Sequence, residues 1–140
     1  MKWFTSNSVS DSGMSCRLSI ALLVVRVVMG AAFILHGLPK IQNPMSWMGP
    51  DSPIPGVFMA LAAVAEFFGG ITLILGLLTS LTSIGLLITM IGAAGFHISN
   101  GDAFVGYGPS WELAAVYATL SLLFLLVGPG KYSVDNKLFK

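Results

Sequence analysis

The sequence predicts an all-α protein, an integral membrane bundle of four helices with both termini in the cytoplasm. Composition is the first ground: 55% of the 140 residues are hydrophobic and only 9% charged, more apolar side chain than a soluble domain of this size could hide. Four apolar runs separated by loops rich in proline, glycine and serine are the second. The third is how the few charges distribute between the two ends of those runs.

The first fifteen residues are polar and serine-rich, and residues 1–17 are expected to form a flexible cytoplasmic tail. The first span covers 18–38. It is too long for a signal-peptide core and carries Arg26 in its middle, so a retained helix is the better reading. A loop from Pro39 to Pro55 follows, holding five prolines and Trp47, whose indole suits a headgroup boundary. The second span, 56–78, is apolar except for Glu66. Some 20 helical residues at ~1.5 Å each cross ~30 Å, the thickness of a bilayer core. A very short turn at Thr79 and Ser80 makes the third span, 81–98, an antiparallel neighbour. There Gly85, Ile88, Gly92, Gly95 and Ser99 form one stripe of mostly small residues, which would let another helix approach closely. The fourth span, 111–128, stops at Gly128-Pro129-Gly130, and 129–140 is a basic cytoplasmic tail.

With four spans, Lys2, Arg17, Lys131, Lys137 and Lys140 share one side, while the other holds Lys40, Asp51 and Asp102; the positive side is cytoplasmic. A formal net charge of +1 gives no reason to expect nucleic acid. The single cysteine, Cys16, excludes an intrachain disulfide and a cysteine-built metal centre, and reads as a passive thiol.

The informative residues are those that do not belong in lipid: Arg26, His36, Glu66, His97 and Glu112, with Lys40 just past the first span. Arg26 is eight residues beyond Leu18, ~12 Å into the membrane, and Glu66 is ten beyond Gly56, ~15 Å from the opposite face. An ion pair between them near the midplane would make both tolerable. The histidines, Lys40 and Glu112 fall near the outward helix ends, which predicts a polar cavity opening outward and ending at that pair. Glu66, His36 and His97 would relay protons there. Arg26, Lys40 and Glu112 would bind a small anionic or carbonyl ligand, with Phe33, Phe67 and Phe96 lining an apolar slot. The carboxylates lie at different depths and no ligand pair shares a helix at i, i+3 or i+4, so no metal site is expected. Two histidines are thin support for a haem, and nothing resembles a nucleotide loop.

Arg26, Gly30 and Phe33-Ile34-Leu35-His36-Gly37-Leu38-Pro39-Lys40 resemble the first-helix signature of the DoxX family. Ala65-Glu66-Phe67-Phe68-Gly69-Gly70 with Leu75-Gly76-Leu77 resembles its second helix, and His97 and Trp111-Glu112-Leu113-Ala114 also fit. The resemblance implies a small four-helix protein of the bacterial inner membrane, of a kind commonly labelled an oxidoreductase. One branch of the family resembles a subunit of thiosulfate:quinone oxidoreductase and another is implicated in redox complexes with superoxide dismutase and a sulfurtransferase. The leading expectation is therefore a redox-associated subunit that binds a quinone or other small molecule, in the lipid bilayer and in a complex with other proteins. A non-catalytic scaffold for another protein is the alternative, and homo-oligomerisation is left open.

Overall fold

The computed structural model describes residues 14–139. Five helices form among them: α1 (Cys16–Gln42), α2 (Gly56–Leu75), α3 (Thr79–Ser99), α4 (Glu112–Val127) and the short α5 (Val134–Leu138). The first three, of 27, 20 and 21 residues, are long and apolar enough to cross a membrane. α4 is apolar but shorter, at 16 residues, or about 24 Å. Most of the expected N-terminal tail lies outside the described residues. Cys16 and Arg17 already belong to α1, whose first turn is capped by Ser15 accepting from the Leu18 amide at 3.2 Å.

The helix boundaries differ from the sequence reading in two informative ways. α1 runs through Pro39 and ends only after Gln42. Proline removes one hydrogen bond to the preceding turn, but so near the helix end the loss does not terminate it. α2 stops at Leu75 because Gly76 adopts the left-handed conformation (φ 65°), and Leu78 follows it there (φ 50°). The turn before α3 is therefore built from Gly76, Leu77 and Leu78.

α1 packs on α2, α2 on α3 and α3 on α4. Two glycines bring α1 and α2 together. A β-carbon on Gly37 would lie 2.5 Å from the Phe67 amide nitrogen, and one on Gly30 would lie 2.6 Å from the Gly70 carbonyl. Leu22, Met29, Phe33, Leu73, Leu86, Met90 and Phe124 form the core, and the Phe33 and Tyr117 rings meet 4.8 Å apart across α1 and α4. Leu35, Leu61, Leu81, Ile88 and Leu126 are exposed, the apolar exterior expected of a lipid-facing bundle. The small-residue stripe of α3 belongs to that exterior from Ile88 onward, whereas Gly85 faces Ala65 of α2. Ile88 is exposed, and among the described residues nothing stands within 4 Å of a β-carbon at Gly92 or Gly95.

Residues beyond α4 do more than a plain tail would. Gly128 and Gly130 take positive φ and turn the chain back. Arg26 donates to the Tyr132 carbonyl, the Lys131 amide reaches Ser19 Oγ at 3.5 Å, and the Asp135 amide donates to the Gly76 carbonyl at 2.9 Å. The Asp135 carboxylate accepts from the amides of Leu78 and Thr79 at 2.7 and 2.8 Å. This clasp joins α1, the α2–α3 turn and α5.

The two ends of the bundle carry opposite charge. Among the described residues, Arg17, Arg26, Lys131 and Lys137 lie at the clasp end with Asp135 as the one carboxylate. Asp51, Glu66, Asp102 and Glu112 lie in the other half with Lys40 as the one cation.

Candidate functional site

The extra turn of α1 places Lys40 opposite Glu66. Gly37 lets α1 lie directly on the α2 backbone at Phe67, and three residues further on the Lys40 ammonium donates to both oxygens of Glu66, each at 2.7 Å. The Glu66 side chain is 3% exposed and that of Lys40 21%. Over the ammonium stands the ring of Trp47, its centroid 4.4 Å away, a separation at which the ring quadrupole attracts a cation. Trp47 is held in turn by its indole N–H, which donates to the Met59 carbonyl at 3.0 Å. The loop after α1 is thereby folded onto the first turn of α2.

Beside this group is a hollow of about 480 Å³ lined by Pro39, Lys40, Asn43, Ser46 and Trp47. It combines an aromatic wall, an ammonium, an amide and a hydroxyl. It is an open recess, and neither Arg26 nor Glu66 lines it. The Lys40 charge is already matched by Glu66, so the recess presents polar donors and a ring without a bare ion.

The expected Arg26–Glu66 pair does not form. Glu66 does find a cationic partner, as a buried carboxylate must, but that partner is Lys40. Arg26 lies at the level of Gly76, the end of α2, against Gly76 and Ser133. Its side chain is fully buried, it donates to the Tyr132 carbonyl, and Nε and Nη1 have no protein partner. The reason is register: α1 starts at Cys16 and its first ten residues run past the end of α2, alongside Gly130 and Lys131. Equal depth measured from the starts of the two apolar runs therefore does not mean equal height in the bundle.

The remaining candidates are dispersed. His36 Nδ1 donates to the Ala32 carbonyl at 2.8 Å and its ring meets the edge of Tyr117 at 6.4 Å. His97 Nδ1 is 2.7 Å from Asp102 Oδ2, a half-buried pair at the end of α3. Glu112 is exposed in the first turn of α4, with its backbone N–H on the Phe104 carbonyl. Phe33 is core, Phe67 packs on Phe68 and Phe96 on His97, so the three do not line one slot. Among the described residues no group of three or more His, Cys, Asp or Glu could hold a metal. Trp47, Asp102 and Asp135 are the partners that sequence reasoning missed. Asp102 was within reach, five residues after His97 across the positive-φ Gly101.

The DoxX family profile matches residues 21–99. An uncharacterized protein of Haemophilus influenzae is 36% identical over 122 residues, 85% of this chain and 91% of its own length. Inner membrane protein YqjF of Escherichia coli is 31% identical over 131 residues, 86% of this chain and 94% of its own. A Bacillus subtilis protein provisionally named as an oxidoreductase, CatD, is 31% identical over 77 residues, 53% of this chain and 57% of its own. No solved structure matches the chain.

Proposed function

The chain belongs to the DoxX family and is a multi-pass protein of the inner membrane, and from that premise we propose that it is a redox-associated subunit binding a quinone or similar ring carbonyl compound beside Lys40 and Trp47. The observation that carries this reading is the buried Glu66 carboxylate held by Lys40 beneath an indole ring, next to a recess lined by both Lys40 and Trp47. An ammonium can donate to a ligand carbonyl while an indole stacks on its ring. Glu66, paired with Lys40, and His36 and His97, on the same half of the bundle, are the groups that would carry protons to and from the ligand. Arg26 has no part in this site. The provisional oxidoreductase name of the Bacillus subtilis relative agrees with a redox role. The division of charge between the two ends supports the orientation in which both termini are cytoplasmic and the recess faces outward.

Quenching of tryptophan fluorescence by a soluble ubiquinone or menaquinone analogue tests this on the purified full chain. Trp47→Phe should remove most of the quenching. Lys40→Met and Glu66→Gln should each weaken binding about tenfold, the worth of a charged hydrogen bond. Unaltered affinity in all three variants, each shown by gel filtration to be monodisperse, would rule the site out.

A scaffold role draws on a different observation, the open stripe of Gly92 and Gly95. Gly92→Ile leaving ligand binding intact while abolishing the cellular role would select it.

A further inference from the structure

The clasp end carries a cationic surface that the proposed redox site does not use, and we propose that it docks the headgroup of an anionic phospholipid between Arg17, Lys131 and Lys137. Arg17 is more than a hundred residues from Lys131 and Lys137 in sequence, and the fold brings the three to one corner. Cys16 Sγ and the Tyr132 hydroxyl are hydrogen-bonded at 3.3 Å, which sets Arg17 beside the segment containing Lys131. The Lys131 amide meets Ser19 Oγ, one turn further along α1, and its carbonyl accepts from Asn136 Nδ2 at 3.0 Å, which brings Lys137 to the same place. Arg17 and Lys137 are exposed and Lys131 half-buried.

No carboxylate is free to neutralise them among the described residues of this end. Asp135 is engaged by the Leu78 and Thr79 amides. Arg26 adds to the positive field from beneath but is buried, so it does not meet the ligand directly. Apolar surface adjoins the cations: Leu18, Ile20, Tyr132 and Leu138 are all exposed. Cationic heads beside exposed apolar side chains, at the start of a membrane-crossing helix, fit a lipid whose phosphate meets the charges and whose chains run along α1. A free phosphate would use only the first half of that surface. The contacts above fix the main chain from which the cationic side chains project.

The test reconstitutes the full chain in phosphatidylcholine bilayers containing a trace of spin-labelled phosphatidylglycerol or spin-labelled phosphatidylcholine, and reads the motionally restricted fraction. The wild type should retain phosphatidylglycerol over phosphatidylcholine, with a preference that falls as salt is raised. Arg17→Gln, Lys131→Gln and Lys137→Gln should each lower it about fivefold, whereas Asp51→Asn at the opposite end should not. Equal retention of the two lipids by the wild type, or an undiminished preference in the triple variant, overturns the proposal. Displacement of the labelled lipid by millimolar inorganic phosphate would overturn it too, since the site would then select a free anion.

Discussion

Asp135 caps α3 from 56 residues away: its carboxylate accepts from the Thr79 amide at 2.8 Å and from the preceding Leu78 amide at 2.7 Å. α3 has no local side-chain cap, and Leu78, at its N-cap position, holds a positive φ that a β-carbon makes costly. The remote carboxylate supplies what the local sequence omits. Asp135→Ala should therefore destabilise the protein by about 1–2 kcal/mol, and Asp135→Asn by less. Thermal unfolding in detergent followed by circular dichroism measures both. An unchanged midpoint for Asp135→Ala would contradict the role assigned to the cap.

Lys40 and Glu66 should behave as a coupled pair. Removing one partner leaves a charge in an apolar bundle, so Lys40→Met or Glu66→Leu alone should cost about 3–5 kcal/mol. The double variant should recover most of that loss, because two apolar side chains need no counter-ion. A double-mutant cycle by denaturant unfolding measures the coupling, and additive single effects would show that the ion pair is not energetically linked.

Glycines at two heights should respond oppositely to one methyl group. A β-carbon at Gly37 meets the Phe67 backbone, which cannot yield, so Gly37→Ala should pry α1 from α2 and move Lys40 off Glu66. Gly92→Ala meets nothing within 4 Å and should be neutral or stabilising by about 0.5–1 kcal/mol through helix propensity. Comparing the unfolding midpoints of the two variants decides whether the helix contacts are as close as described.

Tyr132 gives a pH signature. Its hydrogen bond to Cys16, and then the proximity of that thiol, push the phenol above its ordinary value of 10.0. A raised acid favours the neutral form in the fold, so this contribution to stability is present below pH 10 and is lost as pH rises through the raised value. Absorbance titration should show a late phenolate step from Tyr132. Tyr132→Phe should delete the step and Cys16→Ala should move it earlier; if neither variant alters it, the contact does not hold in solution.

The apolar helices and Glu66's need for a cation were legible because both depend on composition and local pattern. Length and hydropathy set where helices form, and a lone carboxylate in an apolar run demands a counter-charge wherever the chain folds. The identity of that counter-charge was not legible. It depends on how far α1 slides along α2, which Gly30, Gly37 and Gly70 set through close backbone approach, and on α1 continuing through Pro39, which local propensity opposes. Depth counted along each run missed the first ten residues of α1 that overhang α2, and with them the true surroundings of Arg26. The clasp was hidden for a related reason: Asp135 acts on backbone amides of a distant turn, and such groups leave no mark in side-chain pattern.

Dependence of α3 on Asp135 also orders events during synthesis. At roughly 5–20 residues per second the ribosome delivers that carboxylate roughly 3–11 s after Thr79, so the beginning of the third helix enters the bilayer before its cap exists. A nascent chain stalled within α4 would carry that helix start unfinished, and would be the form most open to a membrane protease. The start of the third helix is thus completed by a residue translated only after the fourth helix has been made.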